Sequence, residues 1–272
     1  MVTDGHNHTC AYSPDAKQTP EQLIDSAISR GLPGIAITEH YEINNPDSHD
    51  EIQIFNLDDY YRSFKTWKCL CHDNFNLLLG IEFGYQSNSE DSIRSAAAMI
   101  PFDVVILSNH FFRGRDPYYS DSCYRLSASE RNNEYISVMA QMCENLDCFD
   151  VAGHYDYINR YNPDSSGRVL YDDCPKAFDR LFEALIYKNK SLEINTRSIM
   201  KLRARGETNV MPDRKVLSRY LDMGGSMISL GSDSHTDDTL GIEFEDTCEY
   251  LKSLGFRQTV YFRQHQPVFE QL

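Results

Sequence analysis

Short apolar runs recur along the chain, separated by longer stretches in which apolar residues return at three- and four-residue intervals. The short runs read as strands near Thr3–His8, Gly34–His40, Asn76–Phe83, Asp103–Phe111, Phe149–Tyr155, Ser191–Thr196 and Ser226–His235, with a last candidate at Gln258–Gln264. Helix signals lie between them. Thr19-Pro20-Glu21-Gln22 supplies an N-cap, a first-turn proline and a capping-box glutamine ahead of Leu23, Ile24, Ala27 and Ile28. Ser127-Ala128-Ser129-Glu130 repeats the capping box. Ile136, Met139, Cys143 and Leu146 then form one helical stripe, and Phe178, Leu181, Phe182, Leu185 and Ile186 form another.

This alternation predicts an α/β fold in which parallel strands are joined by helical crossovers. Seven or eight such units in 272 residues suit a closed barrel, with an open doubly wound sheet as the alternative. No linker, low-complexity tract or repeat divides the chain, so residues 1–272 are expected to form a single domain. Arg113–Leu126 is polar and tyrosine-rich and reads as a long loop, either ordinary surface or the cover of a site with Asp116, Tyr118, Tyr119 and Asp121 as candidate contacts.

Composition narrows the class. Hydrophobic residues make up 41% and charged residues 25%, as in an ordinary globular protein. No apolar stretch is long enough to span a bilayer, and Met1–His6 lacks the basic flank and apolar core of a signal peptide, so a cytoplasmic location is expected. The eight cysteines are scattered, with only Cys69 and Cys71 close together, and are expected to be free thiols. A formal net charge of −15 disfavours binding along a nucleic-acid backbone. A small phosphorylated substrate remains compatible, because a few local arginines and metal ions suffice to reverse the potential locally.

The chemistry-bearing residues stand at strand ends. In Asp4-Gly5-His6-Asn7-His8, positions i and i+2 of a strand put two imidazoles on one face. Alone, such a pair is as easily structural as functional. Yet Glu39-His40, Gly80-Ile81-Glu82, Asn109-His110, Gly153-His154 and Asp233-Ser234-His235 each close an apolar run in the same way. In a parallel barrel all these ends lie on one face, where residues distant in sequence converge.

The constellation resembles the polymerase and histidinol phosphatase (PHP) family over nearly the whole chain. The opening motif is matched by His6-Asn7-His8-Thr9 through Ser13-Pro14-Asp15, followed in order by Thr38-Glu39-His40, Gly80-Ile81-Glu82, Ser108-Asn109-His110, Gly153-His154 and Gly231-Ser232-Asp233-Ser234-His235. Ser13-Pro14-Asp15 and Leu192-Glu193-Ile194-Asn195-Thr196 look like the histidinol-phosphatase branch. The resemblance implies a distorted TIM-like barrel of seven βα units and a cluster of two to three divalent ions, Zn, Mn or Fe. One ion would take His6, His8, Glu82 and Asp233; a second would share Glu82 and add His110 and His154; a third would use Asp15, His40 and His235. Ser13-Pro14-Asp15 also reads as a turn, which leaves the third ion the least secured.

The function so implied is hydrolysis of a phosphomonoester, with L-histidinol phosphate the leading substrate. A PHP-type nucleotide or cyclic phosphodiester hydrolase, an exonuclease and a noncatalytic metal-binding module are the alternatives. Glu82 and Asp233 are the candidate catalytic residues: Glu82 spaces the ions around a bridging hydroxide, and Asp233 or a water is the candidate general acid. Arg160 and Arg197, each just past a strand end, are the candidate phosphate ligands, since a guanidinium can hold two oxygens at once. Solvated loop arginines are the competing reading, and Arg203 or Arg205 could take the place of Arg197.

Overall fold

The computed structural model describes residues 1–46, 54–72, 74–163 and 168–272. Six parallel strands form one sheet in sequential order: β1 (Gly34–Tyr41), β2 (Asn76–Gly84), β3 (Val104–Ser108), β4 (Val151–Ala152), β5 (Ser191–Asn195) and β6 (Ile228–Gly231). The segment before β1 closes the ring. On one side the Asp4 and Asn7 carbonyls accept from Ala36 and Thr38; on the other, Gly5 and His8 donate to Leu230 and Ser234. Its pairing is interrupted, leaving isolated bridges Asp4↔Ile35 and Asn7↔Ser234 in place of a continuous ladder.

Counting this segment, seven strand positions alternate with helices, as a distorted TIM-like barrel requires. The helices are α1 (Pro20–Ser29), α2 (Leu57–Lys68), α3 (Glu90–Ala97), α4 (Ala128–Asn145), α5 (Pro175–Lys188), α6 (Thr196–Ala204), α7 (Arg214–Asp222) and α8 (Phe244–Leu254). Both capping boxes form: the Thr19 hydroxyl accepts the Gln22 N–H and the Ser127 hydroxyl that of Glu130, with the reciprocal bonds in place. None of the described helices is long and apolar enough to cross a membrane.

The strand period of two sorts the side chains. Leu77, Leu79, Ile81 and Phe83 of β2 face the helices, whereas Leu78 faces the barrel interior with Ala36, Val104, Ile106 and Val151. Toward the strand C-termini the interior positions become Gly, Ser and then charged. The last apolar run departs from expectation. It is no barrel strand but β7 (Gln258–Arg263), paired antiparallel with β8 (Gln266–Gln271). Val260, Tyr261 and Phe262 pack against the apolar interior residues and plug the barrel's N-terminal end.

Two further differences are local. β3, β4 and β6 stop short of the expected Phe111, Tyr155 and His235 because the chain leaves the ladder there to aim His110, His154 and Asp233 inward; Asp233 takes φ 50°, a left-handed conformation uncommon for a non-glycine residue. Among the described residues all eight cysteines are free thiols, as expected.

Candidate metal centre and substrate cavity

Strand register begins the gathering. β1 and β2 pair with His40 opposite Glu82, and His40 Nδ1 lies 2.8 Å from Glu82 Oε2. That same oxygen is 3.3 Å from His6 Nε2 and 3.5 Å from His8 Nε2. The other oxygen, Oε1, is 3.1 Å from His110 Nε2 and 2.9 Å from His154 Nε2, and accepts from the Ser108 hydroxyl at 2.6 Å. Glu82 is thus the hub of five imidazoles drawn from three strand ends and the closing segment. Gly153 makes room for this packing, since a Cβ there would run into the Ser108 hydroxyl.

Asp233 forms a second node. Its Oδ1 is 3.3 Å from His8 Nε2 and 3.5 Å from His235 Nδ1, and His235 Nε2 is 2.8 Å from Asp15 Oδ2. Asp15 Oδ2 is also 3.7 Å from His40 Nε2. All the residues expected to bind metal therefore meet on one barrel face. Four sets place their donor atoms within 4.8 Å of one another: His6, Glu82 and His154; His6, His8 and Asp233; His8, His40 and His235; and His40, Glu42 and His110.

The donor set fits divalent cations. His6 Nδ1 lies 2.7 Å from Glu193 Oε1, and His110 Nδ1 lies 2.7 Å from Glu42 Oε1, so both rings turn an Nε2 toward the cluster. The His6 and His8 Nε2 atoms approach to 3.0 Å. Glu82 Oε2, buried among these nitrogens, has no hydrogen-bond partner of its own among the described residues. Burial would push the Glu82 carboxyl up, but His6, His110 and His40 hold it well below the usual range. Burial likewise opposes charge on His110, yet Glu82 and Glu42 push it up to about 10, while His6 is raised by Glu193 and Glu82. Burial keeps His8 and His154 neutral. Protons on the raised imidazoles stand where a cation would compensate the carboxylates, so binding one releases them.

Above the cluster opens a cavity of about 360 Å³. Asp233, His40, His110 and His235 reach it from the cluster; Arg160 and Arg197 flank Asp233; Asp116, Tyr118, Tyr119, Tyr157 and Tyr161 line it from the loops. Arg160 is 5% exposed and donates to Asp233 Oδ2 and the Ser198 hydroxyl, while its buried Nη2 has no hydrogen-bond partner among the described residues. Arg197 Nη1 donates to the Asp233 carbonyl at 2.7 Å. The competing arginines lie elsewhere: Arg203 pairs with Glu243 and Asp246 on the surface, and Arg205 bonds the carbonyls of Asn159 and Asn162. Three of the four expected contacts in the 113–126 loop line the cavity, but Asp121 instead pairs with Arg125.

Sequence reasoning assigned no role to Glu42, Ser108 or Glu193. Glu42 stands two residues beyond His40, and Glu193 two before Asn195, so the strand period alone would have turned each inward.

The model of the PHP domain family matches residues 4–197. A "Probable histidinol-phosphatase" from Clostridium acetobutylicum is 28% identical over 262 residues, covering 96% of this chain and 97% of that protein. The histidinol-phosphatase of Lactococcus lactis subsp. lactis is 26% identical over 265 residues, covering 94% and 92%. A crystal structure of histidinol phosphate phosphatase from Lactococcus lactis, complexed with zinc, L-histidinol and phosphate, matches with a TM-score of 0.85 at 24% identity, over 98% of this chain and 100% of that one.

Proposed function

The chain belongs to the PHP domain family, and from that premise we propose that it is a metal-dependent phosphomonoesterase converting L-histidinol phosphate and water to L-histidinol and phosphate. The reading places it in histidine biosynthesis, in the cytoplasm, and is supported by the similarity to histidinol-phosphatases along nearly the full length of both chains. The observation that carries it is the pairing of a donor-rich cavity floor with Arg160, whose buried Nη2 retains an unused N–H beside Asp233.

Two to three ions, Zn, Mn or Fe, would be held by His6, His8, Glu82 and Asp233; by Glu82, His110 and His154; and by Asp15, His40 and His235. When bound they supply Lewis-acid stabilisation of phosphoryl oxygens and lower the pKa of water. Glu82, sharing its two oxygens between the first two sets, holds them at fixed spacing. Arg160 and Arg197 bind phosphoryl oxygens and orient phosphorus over the floor. Burial opposes ionisation of Asp233, but Arg160 and His6 hold its carboxyl well below the usual range, so it stays ionised and serves as a ligand, and the leaving alkoxide takes its proton from water. Tyr157, Asp116 and the 113–126 loop bound the space left for the organic part of the substrate and favour a small molecule over a polymer.

A panel of phosphomonoesters and phosphodiesters assayed with Zn, Mn and Fe tests the proposal. L-histidinol phosphate should give the highest kcat/KM. Robust cleavage of single-stranded DNA or cyclic diesters, with no phosphate released from L-histidinol phosphate, would refute it.

A further inference from the structure

Glu193 lies inside the barrel beneath the donor cluster, 1% exposed, and its two oxygens serve two different elements. Oε1 is 2.7 Å from His6 Nδ1, and Oε2 accepts the His154 backbone N–H at 2.6 Å. With Oε1 as the acceptor of this contact, the His6 ring proton belongs on Nδ1 and Nε2 faces Glu82 and His8. Gly231 leaves the space this arrangement needs, because a Cβ there would run into both Glu193 Oε1 and His6 Cβ. We propose that Glu193 is a positioning residue that fixes the His6 tautomer and, through the same carboxylate, ties His6 to the His154 turn so that the two rings present Nε2 to the two oxygens of Glu82, the carboxylate shared by their ion sets. This rests on the metal-dependent reading above.

The arrangement makes an isosteric change informative. Glutamine keeps the volume but replaces one acceptor by a donor. The His154 backbone N–H cannot give up its proton, whereas an imidazole can move its own from Nδ1 to Nε2. Glu193→Gln should therefore keep its oxygen on the His154 N–H and turn its NH2 toward His6 Nδ1. The ring then carries its proton on Nε2 and loses the lone pair that faced the cluster. Asn195 Nδ2, 3.3 Å from Oε1, meets a donor as well. A purely space-filling role makes the opposite forecast: glutamine harmless, alanine damaging.

Wild type, Glu193→Gln and Glu193→Ala would be stripped of metal and titrated with zinc against a chromogenic chelator, with thermal unfolding of the metal-free proteins and steady-state kinetics alongside. Glu193→Gln should weaken one zinc site about 10–100-fold, as much as Glu193→Ala does, with kcat reduced, KM little changed and metal-free unfolding close to wild type. Wild-type zinc affinity in Glu193→Gln would overturn the inference alone, as would a loss that merely tracks lower metal-free stability. Failure of the wild type to bind zinc, manganese or iron would overturn it together with the proposed function.

Discussion

Arg160 Nη1 and Asp233 Oδ2 meet at 2.7 Å with both side chains buried, so a residue expected to hold phosphate and one expected to hold metal share a charge pair. On the reading proposed above, removing Arg160 takes away one of two phosphate-binding guanidinia, and it uncovers the Asp233 charge. Arg160→Ala should lower kcat and raise KM, losing about 2–4 kcal/mol of transition-state stabilisation. Arg160→Lys should recover little, because an ammonium cannot hold Asp233, Ser198 and a phosphoryl oxygen in one plane. Arg203→Ala, which removes ion pairs to Glu243 and Asp246 away from the cavity, should leave kcat/KM near normal. Steady-state kinetics with elemental analysis decides; a normal Arg160→Ala enzyme removes the arginine from the mechanism.

Glu82→Ala should cost ions as well as turnover, since both Glu82 oxygens face imidazole nitrogens of different sets. Protein purified without chelator should carry two to three divalent ions by elemental analysis, and the variant at least one fewer. Equal metal content in the two would break the assignment of Glu82 as a shared ligand.

Gly231→Ala should destabilise the fold by about 1–3 kcal/mol, the usual range for overpacking. The new methyl would meet the Glu193 carboxylate and His6 Cβ inside a closed barrel, where neither can retreat. Chemical denaturation of the metal-free proteins measures this directly, and a stability equal to wild type would contradict the packing described.

A pH effect is expected at the other end of the barrel. His265 hydrogen-bonds to Asp150 Oδ2 at 2.8 Å, which raises its pKa above the ordinary 6.5 despite opposition from burial and Lys190, with Asp103 also favouring the charge. A raised pKa means the protonated ring is favoured in the folded state. The contribution is therefore full below the unfolded value and disappears as pH rises through the folded value. His265→Asn tolerates the positive φ of this turn position, so it removes the ion pair with little added backbone strain. The Tm difference between wild type and variant should be larger at about pH 5.5 than at about pH 9. A difference independent of pH would show that the pair contributes nothing.

The barrel and its site differed in how far the residues announced them. Strand positions and their parallel arrangement were legible because short apolar runs alternate with helical stripes, and six of those runs close on a histidine or carboxylate, ends that a barrel puts together. The expected ligands converge for that reason. Strand limits were not legible at His110, His154 and Asp233, where apolar and β-prone residues continue but the backbone turns to aim a side chain. Gln258–Gln264 has the composition of a buried strand and is one; nothing local distinguishes a strand inside the ring from one stacked across its end. Glu42 and Glu193 escaped because a carboxylate serving an imidazole's far nitrogen leaves no spacing motif, only an inward-facing position.

The plug across the barrel's N-terminal end also governs the order in which the molecule can assemble. Thr3 bonds Glu270 through both its backbone N–H and its hydroxyl, a contact spanning 267 residues, and the closing segment completes its pairing only with β6 and the residues just after it. During synthesis at roughly 5–20 residues per second, His6 and His8 therefore emerge long before Asp233 exists. For that interval the first strand position has a partner on one side at most, and the donor cluster cannot be complete. Closure is a late event of high contact order, expected to be slow beside the pairing of β1 with β2. Divalent ions added to a refolding chain should accordingly act after the ring shuts, stabilising the finished molecule without hastening the early steps.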